Sequence, residues 1–85
     1  MIRRYEIVDI LTLSYGRKAY ILSSDTLPTV YVGDTLIDEN GNRASVIGVG
    51  GVLKCFGDKY CRSVLLSGNV KKGTVRITTN HEDEK

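Results

Sequence analysis

Eighty-five residues set the limit at one domain: a chain of this size buries only about 60% of its unfolded surface, enough for a single compact core. With 41% apolar and 26% charged residues, the composition is that of an ordinary globular chain, which excludes disorder, and no apolar run approaches the roughly 20 residues needed to span a bilayer. The formal charge of +2 hides an asymmetry, because residues 1–80 carry 11 basic against 7 acidic side chains and the acids Glu82, Asp83 and Glu84 lie in the last few positions.

The first segment, Tyr5 to Leu13, places Tyr5, Ile7, Asp9, Leu11 and Leu13 on one face of an extended strand and Glu6, Val8, Ile10 and Thr12 on the other. Apolar residues on both faces suit a barrel strand with an interior and a packed exterior patch. Ser14-Tyr15-Gly16-Arg17 breaks the strand, and Lys18 to Leu22 begins the next. Ser23 to Pro28 reads as a connecting loop, and Thr29 to Val32, β-branched and aromatic, as a further strand. Gly33-Asp34 then turns the chain, with Asp34 as a turn carboxylate that accepts nearby amides.

Asn40-Gly41 between Leu36–Glu39 and Arg43–Val46 predicts a hairpin with a type I′ turn, in which both central residues need positive φ. Asp38 and Glu39 are expected at its solvated tip. Gly48, Gly50 and Gly51 predict a bulge or sharp bend of the kind that coils a small sheet into a barrel. Arg62 to Ser67 and Thr74 to Thr79 complete the strands. The expectation is an all-β fold, a six- or seven-stranded antiparallel β-barrel over residues 1–80, followed by a flexible acidic tail over 81–85.

The ordered motifs Ile7-Val8-Asp9-Ile10-Leu11, Gly16-Arg17, Val32-Gly33-Asp34-Thr35-Leu36, Val46-Ile47-Gly48-Val49, Leu65-Leu66-Ser67-Gly68 and Lys72-Gly73 cover about residues 5–77. In that order the chain resembles the second domain of translational GTPases of the elongation factor Tu type, a six-stranded barrel. The resemblance implies a stand-alone relative of that domain. In that family one edge of the domain helps hold the aminoacylated end of tRNA through an acidic pair, an aromatic residue and an arginine. Asp9 and Arg17 fall at matching positions, whereas Val8 and Leu11 replace the second acid and the aromatic, so the resemblance does not extend to an aminoacyl pocket. A cyclic-dinucleotide motif of the PilZ type is excluded: Ser45-Val46-Ile47-Gly48 fits its tail, but Arg43 stands where Asp or Asn is required.

Catalytic signals are missing. No phosphate-loop pattern occurs, His81 sits beside the acidic tail, and Cys55 and Cys61 read as plain thiols in a cytoplasmic chain, too few to make a zinc site. The reading is therefore a non-enzymatic binding module with no cofactor, metal, membrane or small-molecule substrate. Met1 and the acidic tail suggest a complete small protein rather than a fragment. The first partner class is RNA or the ribosome, through basic loop residues placed beside tyrosines: Arg17 and Lys18 with Tyr15, Lys54 and Lys59 with Tyr60, and Lys71-Lys72. The alternative is a protein-interaction or regulatory module docking on a larger protein, with tyrosines and arginines as anchors.

Overall fold

A computed structural model describes residues 3–54 and 57–78. Six strands run in chain order: β1 (Arg3–Thr12), β2 (Lys18–Ser24), β3 (Thr35–Asp38), β4 (Arg43–Lys54), β5 (Tyr60–Ser67) and β6 (Gly73–Thr78). All pairings are antiparallel, and the order β1-β2-β5-β4-β3-β6 closes on itself when β6 pairs with β1. Among the described residues no helix is long and apolar enough to cross a membrane.

Alternation along the strands builds the core. Ile7, Tyr20, Leu22, Leu36, Val46, Val64, Val75 and Ile77 point inward, while Val30 and Val70 from two loops join the same cluster. Closure pairs the first strand with the last: Arg3 lies opposite Ile77 and Tyr5 opposite Val75. The glycine-rich stretch behaves as its composition predicts. β4 is continuous through Gly48, Gly50 and Gly51, and its register against β5 slips between Val46 and Gly48 and again between Val49 and Val52. A third slip, between Ile7 and Asp9 of β1, bends that strand where it passes from one neighbour to the next.

Two local expectations are corrected. Thr29–Val32 is no strand but part of the long β2–β3 loop. Side chains take three of its backbone groups, two of them from the far end of β1: the Thr29 N–H donates to the Tyr5 hydroxyl at 2.8 Å, the Arg3 guanidinium donates to the Thr29 carbonyl, and the Tyr31 N–H donates to Asp34 Oδ2 at 2.9 Å. Asp34 is thus the turn carboxylate expected of it, and it also receives Arg3 at 3.0 Å. Arg3 in turn lies over the Tyr31 ring, 5.9 Å from its centroid. These contacts pin the β2–β3 loop to the start of β1.

The hairpin at Asn40-Gly41 exists, but its turn is different. Only Gly41 there has positive φ (86°), and the Asp38 N–H donates to the Asn42 carbonyl at 3.0 Å, leaving a three-residue loop with its left-handed position at the glycine. Nor is Asp38 at a solvated tip, being only 4% exposed. The paired left-handed residues lie instead between β1 and β2, at Tyr15 (φ 65°) and Gly16 (φ 74°).

Cys61 is half of a disulfide, which corrects the expectation of plain thiols. It sits opposite Leu53 near the end of the β4–β5 arm, and Cys55 lies outside the described residues. His81 and the 81–85 tail lie outside them as well.

Candidate nucleic-acid interface

Strand direction sorts the loops into two ends. The β1–β2 turn (13–17), the β3–β4 turn (39–42) and the β5–β6 loop (68–72) share one end; the β2–β3 loop (25–34) and the β4–β5 turn share the other. Of the residues singled out in the sequence, Tyr15, Arg17, Lys18, Lys71 and Lys72 fall at the first end. Lys54, Lys59 and Tyr60 fall at the second. One barrel length separates the two sets, so they cannot act as a single patch.

The first end is built around an exposed tyrosine. The Leu13 N–H donates to the Arg17 carbonyl at 2.6 Å, closing a three-residue hairpin loop over Ser14–Gly16. Tyr15 at its apex is 99% exposed and the only non-glycine residue with positive φ among those described. A left-handed backbone costs an L-residue with a bulky side chain roughly 1–2 kcal/mol, and no packing of the ring offsets that cost. Sparsely populated backbone held against strain points from structure to function. Beside the turn, Gly16, Arg17, Lys18, Leu66, Gly68 and Asn69 line an open recess of about 230 Å³, so the β1–β2 turn and the β5–β6 loop form one surface.

Asp38 shapes that surface from below. Its Oδ1 accepts the amides of Asn40 and Asn42, each at 2.9 Å, and its Oδ2 accepts Asn42 Nδ2 at 2.8 Å and the Lys71 amide at 3.0 Å. Burial works against the charged carboxylate, but the Asn42 side chain and the Lys71, Asn42 and Asn40 amides outweigh it and lower its pKa to about 2. One buried anion therefore holds the backbone of the Lys71-Lys72 loop. Lys72 Nζ stands 3.9 Å from Asp9 Oδ1 with both side chains more than half exposed, a pairing too solvated to remove the cation from use. The exposed Arg43 begins β4 at the same end, its carbonyl packed beside Gly68, and sequence proximity alone did not associate it with the other cations. Asp38 was likewise missed, although Asp-Glu-Asn-Gly-Asn carries the signal of a carboxylate capping amides two and four residues on.

The opposite end is less suited to a polyanion. Lys54 Nζ lies over the Tyr60 ring at 5.6 Å from its centroid, so the cation occupies the face a base would stack on. Lys59 borders an open recess of about 320 Å³ whose lining also includes Glu6 and Asp25. Among the described residues no three His, Cys, Asp or Glu side chains gather as metal ligands. No protein-family model, curated protein or solved structure matches the chain.

Proposed function

We propose that this barrel is a binding module for single-stranded, phosphate-bearing nucleic acid, RNA being the class in view, and that the end carrying Tyr15, Arg17, Lys18, Lys71 and Lys72 makes the contact. The observation that carries the reading is Tyr15: a ring presented wholly to solvent on a strained backbone, in the turn that leads through Arg17 into Lys18. Loop cations neutralise phosphates, and an exposed aromatic ring stacks on an unpaired base regardless of sequence. The resemblance to a translation-factor domain supports RNA or the ribosome as the partner class. It does not supply a pocket, because Val8 and Leu11 stand where that family places an acid and an aromatic.

Fluorescence anisotropy with short single-stranded RNA over a salt series tests the reading. Four phosphate contacts give a slope of log K against log salt of about −3. Lys71→Glu with Lys72→Glu weakens binding and flattens that slope. Tyr15→Ala costs about 1–3 kcal/mol at low and high salt alike, because stacking releases no counterions. Binding that is undetectable or insensitive to salt refutes the reading. A stoichiometric protein partner that survives nuclease and high salt favours the protein-docking alternative, for which the exposed Leu11 and Leu13 beside the β1–β2 turn are the nearest apolar contacts.

A further inference from the structure

β4 has twelve residues, whereas its neighbour β3 has four. Their ladder runs only from Ile37–Arg43 to Thr35–Ser45. Val46 extends it by one residue: its carbonyl accepts the Gly33 N–H at 2.9 Å, and its N–H donates to the Asp34 carbonyl at 2.8 Å. From Ile47 to Lys54, β4 pairs with β5 alone among the described residues. In an antiparallel ladder, backbone groups of alternate residues face opposite sides. Val46 faces away from β5, and following the alternation through the two bulges makes Val49 and Val52 the next residues whose N–H and C=O point outward.

A second free stretch, on β1 beyond Ile7 where β6 begins, is blocked. Asp9 Oδ1 accepts the Ile10 N–H at 2.8 Å and sits near Lys72, putting charge on that edge. Charged residues, proline, bulges and short edges are how native sheets prevent unwanted pairing. The β4 edge is long and has bulges but neither charge nor proline: Ala44 to Leu53 contains no charged residue and no proline, and Leu53 is 73% exposed.

We propose that a second copy of this chain adds to this edge, β4 pairing antiparallel with β4 across a two-fold axis between Gly50 and Gly51. The segment is nearly symmetric about that point, Gly-Val-Gly then Gly-Val-Leu over residues 48–53. Val49 therefore meets Val52 of the other copy, and Gly50 meets Gly51. Both copies carry the same three-residue step between outward valines, so the two valine pairs bond in register together. The one nearby charge, Lys54, falls opposite Ile47 rather than opposite another lysine. A Cβ on Gly51 would meet nothing within 4 Å, so a side chain can be placed beside the axis without a clash in the same copy. Self-pairing is the isologous contact that closes at two copies.

Sedimentation equilibrium of the full chain is the test. The expected result is a weight-average mass rising with concentration from 9.4 kDa toward twice that value and no further. Gly51→Lys and Gly51→Asp each place like charges together at the axis, so each alone stays at 9.4 kDa, while an equimolar mixture of the two regains the dimer. Should either variant fail to fold by circular dichroism, amide exchange of the unaltered chain decides. Val49 and Val52 amides slow by about tenfold when nine-tenths of the chain is dimeric. A constant mass of 9.4 kDa at all concentrations, dimers that form equally well in both Gly51 variants, or valine amides indifferent to concentration overturn the proposal.

Discussion

Replacing Tyr15 with glycine should make the protein more stable and worse at its proposed task. The ring is 99% exposed, so removing it forfeits no buried area. The backbone sits at φ 65°, ψ 23°, where tyrosine costs about 1–2 kcal/mol and glycine costs almost nothing. Glycine also loosens the unfolded chain, which costs about 0.5–1 kcal/mol. The balance is a gain of about 0.5–1 kcal/mol, or roughly 2–6 °C in Tm for a domain of this size. Tyr15→Ala keeps a Cβ in the left-handed region and so gains nothing. Calorimetric melts of the three proteins at one pH, alongside RNA anisotropy, separate the two effects. The expected pattern is that both variants lose binding and only Tyr15→Gly melts higher. If Tyr15→Gly melts at or below Tyr15→Ala, the strain argument is wrong, and with it the reason for singling out this turn.

Leu36 is fully buried in the core cluster, and Leu36→Ala should cost about 2–5 kcal/mol in urea denaturation at unchanged m-value. Gly68→Ala should cost at least about 1 kcal/mol by the same measurement, because φ is +125° and the new Cβ would stand 3.2 Å from the Arg43 carbonyl oxygen and 3.3 Å from Ala44 Cβ. Asp38 has a folded pKa of about 2 against an ordinary 3.8, so its stabilising contribution is complete above about pH 4 and is lost as the pH falls toward 2. The Tm difference between the natural protein and Asp38→Asn should therefore be constant near neutrality and shrink from pH 4 to pH 2; a gap that persists at pH 2 would contradict that pKa.

The barrel was legible because its signals are local. Turn residues at regular spacing and three glycines in β4 each act within a few positions. The expected face of β1, by contrast, holds only as far as Ile7: the slip before Asp9 turns Ile10 to the core and leaves Asp9, Leu11 and Leu13 outside. Asn40-Gly41 located a hairpin correctly but not its turn type, since the Asp38 carboxylate claims the Asn40 and Asn42 amides and leaves only Gly41 left-handed. Thr29–Val32 has strand propensity, yet Tyr5 and Arg3 take the Thr29 N–H and carbonyl and Asp34 takes the Tyr31 N–H, the first two from 24 and 26 residues away. Nothing inside that tetrapeptide reports them. The candidate site divided for the same reason. Lys54, Lys59 and Tyr60 show the same pairing of charge and aromatic ring as Arg17, Lys18 and Tyr15, but strand direction sends them to opposite ends. The Cys61 disulfide was missed because both thiols were taken to stay reduced.

The pairing of β1 with β6 has a consequence for how the chain acquires its shape on the ribosome. Tyr5 lies opposite Val75, so the seam joins residues 70 positions apart, and β6 completes β3 as well as β1. Until Gly73–Thr78 has emerged from the exit tunnel, β1 and β3 each lack a neighbour, and Leu36, one of the most deeply enclosed side chains, has no Ile77 opposite it. Contacts this distant in sequence make folding slow for a chain of this length. The nascent barrel must therefore wait, open along one side, for its final strand. Slowing translation before codon 73 should prolong that open state and raise the fraction lost to aggregation.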